Sequence, residues 1–293
     1  MSATEALPCK VCGAASPLAA LRPGLQYKVD YRIHTCPACS FSWIANCATD
    51  YAALYSEEYY RGRSPADPSI DYMLELAEPR RTVRVHEWDA IVAAVAALEP
   101  RWQSKRWLDY ACGNGGLVRH LRENGCPSSW GWEQGWIAEQ AKSAGIPLLP
   151  ESDLAPGSYD VVTLIEVVEH LEDPVATLRA VRALLKPGGL LFLTTGNAEP
   201  FLDSLDSWMY VIPDVHIALF TPDSLAKALL AAGFRPGANP DAAAFTGLYR
   251  YRILKTLRAR RRAWWQNWVP WGLVGRLADA RYQLSRLPFG RAV

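Results

Sequence analysis

Between residues 85 and 235 the apolar positions recur at two alternating periods, one suited to helices and one to buried strands. Val85 to Leu98 has helical spacing. Trp107 to Ala111 predicts a short buried strand, after which Leu117, Val118 and Leu121 return to helical spacing until Asn124-Gly125 stops the helix. A second strand follows at Trp130 to Glu133, a helix from Trp136 to Gly145, a third strand at Ile146 to Leu149 and a fourth at Tyr159 to Ile165. Asp173-Pro174 supplies an N-cap and a proline at the first helical position. That helix runs through Leu178, Val181, Leu184 and Leu185 to Lys186-Pro-Gly-Gly189. Leu190 to Thr195 reads as the fifth strand, and Thr221-Pro222 opens a further helix that Gly233 ends. This alternation predicts an α/β class fold, a Rossmann-like and mainly parallel sheet with helices on both faces. Such sheets bind ligands beyond the carboxyl ends of their strands.

Upstream the pattern changes. Tyr27, Val29, Tyr31 and Ile33 alternate with polar residues, which suits a strand pair. They lie between Cys9-Lys-Val-Cys12 and Cys36-Pro-Ala-Cys39, two C-x-x-C knuckles separated by 23 residues. Four thiolates complete the tetrahedral shell of zinc and leave no position for a substrate, so Cys9, Cys12, Cys36 and Cys39 read as a structural zinc site in a small zinc-ribbon-like module. A module this small has little core of its own and uses the metal as a staple. A pair of redox motifs is the alternative, but one redox motif has no need of a second. Cys47, Cys112 and Cys126 lack partners at ligand spacing and read as packing residues. The expected organisation is a zinc module over 1–48, a helical linker or lid over 49–100, the main α/β domain over 101–256 and a basic, tryptophan-rich tail over 257–293. Tyr55, Tyr59 and Tyr60 in the second segment read as core packing, or as part of a lid over a bound cofactor.

The turn after the first strand decides which ligand the sheet takes. A dinucleotide fingerprint requires G-x-G-x-x-G, and here Gly113 and Gly115 fit while the third position is Val118. Asp109, four residues before Gly113, would repel a pyrophosphate but not a cationic sulfonium-bearing amino acid. Asp109-Tyr-Ala-Cys-Gly113-Asn-Gly115 resembles the first motif of the class I S-adenosylmethionine-dependent methyltransferases, and the resemblance runs from about Trp107 to Phe234. It implies that the loop backbone approaches the methionine part of the cofactor, with Asp109, Ala111, Gly113 and Gly115 as binding residues. Ala111 departs from the pattern, since the family usually has glycine there. Glu133 matches the acidic residue that grips the ribose hydroxyls, a task for a group able to accept two hydrogen bonds. Gln134 beside it joins the expected cofactor set, as do Asp153 and Leu154, which lie where the family contacts adenine, and Glu166. Tyr159-Asp160-Val-Val and Leu185-Lys-Pro-Gly-Gly189 match the fourth and fifth strand motifs.

Glu166-Val-Val-Glu169-His170 follows the fourth strand, on the edge where cofactor and acceptor should meet. His170 is the expected catalytic base because imidazole titrates near neutrality, and His216 is a second candidate; a structural histidine is the bland reading of each. Asp203, Asp206 and Asp214 read as solvated. The cysteine pairs, LYSEEYY and HIALFTPDSLAKALLAAGF resemble a subgroup that modifies sugars or other small metabolites, so a small-molecule acceptor such as a sugar or sugar nucleotide is the expected partner. EVVEHLEDP also resembles the ubiquinone-type O-methyltransferases. A methyltransferase gripping RNA, and a scaffold that keeps the fold without activity, are the readings from other classes.

Charge bears on these. The formal net charge is +1 over 293 residues. From Leu248 onward there are eleven Lys/Arg and one acidic residue, Asp279, so an acidic body carries a basic end. The acidic body disfavours nucleic acid as a partner. Trp264, Trp265, Trp268 and Trp271 beside Arg258, Arg260, Arg261 and Arg262 suit docking on the body, peripheral membrane contact or nucleic acid. No basic start followed by an apolar run reads as a secretory leader, and seven cysteines in a chain of this length suit the cytoplasm.

Overall fold

Alternate residues of the central strands face opposite ways, and each set has helices to pack on. The computed structural model describes residues 6–66, 68, 70–237, 246–282 and 289–293. Its main sheet contains β1 (Trp107–Tyr110), β2 (Ser129–Trp132), β3 (Tyr159–Ile165), β4 (Leu185–Thr194), β5 (Phe234–Gly237) and β6 (Phe289–Ala292), in the order β5-β6-β4-β3-β1-β2. The helices that matter here are α1 (Val85–Leu98), α2 (Gly116–Glu123), α3 (Gly135–Ser143), α4 (Pro174–Leu184), α5 (Pro222–Ala231), α6 (Thr246–Thr256) and α7 (Trp271–Tyr282). Leu108, Val162, Leu164, Leu191 and Leu193 pack with α4 and α5 on one face. Trp107, Val161, Leu190 and Phe192 pack with α1 and α2 on the other. The Rossmann-like, mainly parallel sheet with helices on both faces is therefore present, with β1 to β4 parallel.

Two elements differ from the periodic reading. Ile146 to Leu149 is no full strand: Leu148 makes a single parallel bridge to Gly131. Pro147 has no N–H to add to a ladder and Pro150 follows at once, which keeps the pairing short. At the other edge, β6 enters from the far end of the chain and pairs antiparallel with both β4 and β5. The segment read as a tail thus places a strand inside the sheet; α6, which precedes it, packs against α1, and α7, within it, packs against α6. Gly247 and Gly275 permit these approaches, because a Cβ would stand 2.5 Å from the His86 carbonyl oxygen and 3.1 Å from the Tyr249 ring, respectively.

The N-terminal strands Leu18–Pro23, Asp30–Thr35 and Ser42–Ile44 form an antiparallel sheet whose fourth strand, Ala218–Leu219, comes from the main domain. Tyr31 and Ile33 are buried as the alternation requires, while Val29 is exposed. Asp214 corrects the solvated reading. It is buried and accepts hydrogen bonds from the backbone N–H groups of Leu25, Gln26 and Tyr27 and from the Tyr31 hydroxyl, so it ties the module's hairpin to the segment before Ala218. Asp203 and Asp206 are exposed.

Candidate active site

β1 ends in the glycine loop, and the loop's backbone is unusual. Ala111, Gly113 and Gly115 all have positive φ, at 56°, 56° and 70°. Only glycine adopts that region without a steric cost, so Ala111 carries strain that glycine would not. Gly115 precedes α2 in a place where a Cβ would lie 2.4 Å from Ile146, and a Cβ on Gly116 would collide with the Trp88 ring at 2.1 Å. Asn114 fastens the loop: its Nδ2 donates to the Tyr72 carbonyl and to Glu75, and its Oδ1 accepts from the Gly116 N–H. The loop is thereby bonded to the short helix Tyr72–Ala77 in the lid segment.

Asp109 is buried beneath the loop and accepts from the Thr163 hydroxyl at 2.7 Å, which itself accepts from the Trp107 indole N–H. Burial pushes its carboxyl up to about 7, with the Thr163 bond and Arg84 opposing. Glu133, at the end of β2, accepts from the Gly113 and Gln134 N–H groups, both at 2.8 Å. Burial raises it also, against those two bonds. A carboxylate has about four lone-pair sites, so two remain for a ligand hydroxyl pair.

From this loop a cavity of about 1040 Å³ runs past the end of β3. Asp109, Ala111, Gly113, Glu133, Glu166, His170 and His216 all line it. Gly115, Gln134, Asp153 and Leu154 are not among its lining; Gln134 and Asp153 are exposed, and Asp153 accepts from Ser152. Tyr55, Tyr59, Tyr60 and Tyr72 form the wall from the lid segment, with Tyr59 and Tyr60 edge-to-face at 5.2 Å. Tyr210, Tyr249, Tyr251 and Arg252 close the other side, and nothing in the periodicity of the chain marks them.

At the end of β3 the backbone again has a positive φ, 54° at Glu166. Burial opposes its charge, but the Arg252 guanidinium at 2.6 Å, together with Lys255, Thr194 and His216, outweighs it and holds the carboxyl below its ordinary value. Glu169 stands in the opposite condition. It accepts from Tyr210 at 2.6 Å and Thr195 at 2.9 Å, yet burial and the neighbouring Glu166 push it up to about 8. Two carboxyls three residues apart are thus driven to different charge states at neutral pH.

The two imidazoles face each other edge-on at 4.9 Å. His170 Nδ1 lies 2.9 Å from the Val215 carbonyl oxygen, and His216 Nδ1 is bonded to the Tyr210 carbonyl. A carbonyl only accepts, so both Nδ1 atoms carry the proton and Nε2 is the basic nitrogen of each ring. One ligand atom each from Glu169, His170 and His216 lies within 4.8 Å of the others, a set that can share a proton or hold a divalent ion.

Away from this cavity, the Sγ atoms of Cys9, Cys12, Cys36 and Cys39 also lie within 4.8 Å of one another, with Cys9 to Cys39 at 3.6 Å and Cys12 to Cys36 at 3.4 Å. Tetrahedral zinc with bonds of about 2.3 Å sets sulfur–sulfur distances near roughly 3.8 Å, so the donor set and its spacing fit that ion. Cys47, Cys112 and Cys126 stand apart from the cluster; Cys126 is buried.

The family described as "Methyltransferase domain" matches residues 80–237, which takes in the glycine loop, both carboxylates and the end of β3. The chain is 32% identical over 155 residues to the ubiquinone biosynthesis O-methyltransferase of Bordetella pertussis, covering 45% of this chain and 63% of that protein. A protein of the same name from Aeromonas salmonicida is 32% identical over 148 residues, covering 44% and 62%. The chain thus spans under two thirds of the length of these curated relatives. Among solved structures, the magnesium protoporphyrin IX methyltransferase of Synechocystis with bound SAH aligns over 53% of this chain and 76% of that chain, with 20% identity and a TM-score of 0.42. The family match covers more than half of the chain, and the chain belongs to the class I S-adenosylmethionine-dependent methyltransferases.

Proposed function

We propose that this protein methylates a hydroxyl oxygen of a small aromatic acceptor, with S-adenosylmethionine bound at Asp109, Ala111, Gly113 and Glu133 and with His170 as the base. The observation that carries this reading is the single cavity joining the glycine loop to the Glu169, His170 and His216 cluster between tyrosine walls. S-adenosylmethionine supplies an electrophilic methyl group on a sulfonium centre. Asp109 offers the amino-acid end of that ligand a negative partner, and Glu133 offers the ribose two acceptor sites. Tyrosine faces suit a flat acceptor ring and exclude water, so orientation contributes much of the rate.

The acceptor's hydroxyl proton passes to Nε2 of His170, and the imidazolium formed gains a negative neighbour once Glu169, held protonated below about 8, ionises. His216, held by the Tyr210 carbonyl, packs edge-on against the His170 ring at 4.9 Å and helps fix its orientation. The names of the curated relatives support oxygen as the accepting atom and a quinol-like ring as the acceptor class. A second reading, a sugar or sugar nucleotide, is favoured by the cysteine pairs alone. We further propose that Cys9, Cys12, Cys36 and Cys39 hold one structural zinc ion, remote from chemistry because the four thiolates leave it no open position. The test is transfer of labelled methyl to a panel of catechols, hydroquinones and nucleotide-sugars. Turnover of the phenols supports the proposal, and turnover of the sugars alone overturns it.

A further inference from the structure

The outward face of α7 is apolar where solvent should make it polar. Leu273 and Leu277, one turn apart, are both exposed, with Arg276, Ala280 and Arg281 beside them. The turn before α7 adds indoles: Trp264 is 77% and Trp268 81% exposed, and Trp265 is exposed as well. These side chains do not hang on a loose end. The Arg262 N–H donates to the Arg81 carbonyl, and the Val83 N–H to that of Arg260. The Trp271 indole donates to the Gln266 carbonyl, and the Arg250 guanidinium lies 5.3 Å over its ring. The backbone is held and the large apolar groups point away from it, which marks an interaction surface rather than an unfinished core.

Charge selects the partner. Of the cations from Leu248 onward, Arg252 pairs with Glu166 in the cavity, and Arg260, Arg261 and Arg291 pair with Asp71, Glu78 and Glu99. Arg258, Arg262, Arg276 and Arg281 are exposed around the indoles and α7, while Asp279 accepts from the Tyr249 hydroxyl on the inner side of α7. Indoles beside guanidinium groups match an interface in which the rings lie at headgroup depth and the cations meet lipid phosphates. A symmetric second copy would set these arginines against their own equivalents. Among the described residues no helix is long and apolar enough to cross a membrane, so the contact is interfacial. The surface also borders the cavity: exposed Met209 and Leu257, and Ala278 of α7, are part of the cavity's lining.

We propose that α7 and the Trp264–Trp268 turn dock on an anionic bilayer and turn the cavity mouth toward it, so that an acceptor dissolved in lipid enters past Leu257. The entry route rests on the cavity being the acceptor site, whereas the docking does not. The experiment is sedimentation of the full chain with vesicles of phosphatidylcholine containing about one third phosphatidylglycerol, and with phosphatidylcholine alone. Binding to the anionic vesicles is expected, with a loss of about tenfold or more in W264S/W268S and a comparable loss in R276Q/R281Q. Melting temperature and S-adenosylhomocysteine affinity of both variants should match the parent, since these groups lie outside the core and the cofactor loop. Absence of the parent from the vesicle pellet overturns the docking, as does equal sedimentation of parent and variants. Patch-dependent dimers or tRNA binding in place of vesicle binding overturn it too. Each of those results leaves methyl transfer to a water-soluble phenol unaffected, so the proposed activity stands or falls separately.

Discussion

Replacing Asp109 by Asn should make the ligand-free protein more stable and a poorer binder. Asp109 is 4% exposed, and burial raises its carboxyl from the ordinary 3.8 to about 7. Between those two values the unfolded chain has already lost the proton and the folded chain still holds it, so folding stability falls as pH rises and levels off above about 7. At about 1.4 kcal/mol for each pH unit, the raised carboxyl costs the folded state on the order of 4 kcal/mol at pH 8 and only about one to two at pH 5, where the folded protein keeps the proton. Asparagine keeps the shape and can still accept from the Thr163 hydroxyl at 2.7 Å, but it carries no charge. Urea unfolding of the ligand-free protein should therefore show the variant ahead by a few kcal/mol at about pH 8, with the gap about 3 kcal/mol smaller at about pH 5. The same variant should bind S-adenosylmethionine more weakly, because the ligand's ammonium loses its negative partner. A gap that does not change with pH, or a variant less stable at pH 8, would refute the view that a buried charge is kept here for the ligand.

Three further outcomes follow from the same structure. Elemental analysis should find about one zinc per chain; C36S should lose it and lower the melting temperature of the whole protein, because Phe41 packs on Phe220 and Ser42–Ile44 pairs with Ala218–Leu219, and metal-free parent prepared without chelator would sink the assignment. A111G should raise stability by about 1 kcal/mol by relieving the positive φ of 56°, measured as a shift of the urea midpoint, and a loss of stability there would mean that the alanine methyl has a packing role. H170Q should lower kcat by about 10² to 10⁴ with cofactor affinity unchanged, and the parent's kcat should rise with pH through about 8 as Glu169 ionises; a flat profile would exclude Glu169 from the proton's path.

The parts legible in the sequence are those governed by local chemistry. The β1 strand, the glycine loop, Glu133 and the histidine after β3 follow from short runs with fixed spacing, and the two cysteine knuckles mark the four thiols that the fold brings within 4.8 Å of one another. What stayed hidden depends on distant partners. Phe289–Ala292 has only four residues and becomes β6 through pairing with Leu190 and Leu191, about a hundred residues away. Asp214 looks like any surface aspartate until three N–H groups of residues 25 to 27 converge on it. Arg252 reaches Glu166 only because α6 packs on α1, and no local pattern predicts that. The third strand failed for the reverse reason: the apolar run was local and real, but Pro147 denies it a ladder.

The most direct test of the cofactor site is calorimetric titration of S-adenosylhomocysteine into the parent and into E133A, with thermal melts to show that both are folded. Binding of one ligand per parent chain is expected, with affinity in the variant reduced by about 30- to 150-fold, the equivalent of roughly 2 to 3 kcal/mol for two lost ribose hydrogen bonds to a carboxylate. Equal affinity in the two folded proteins would contradict the placement of the cofactor between Glu133 and the Asp109 to Gly115 loop.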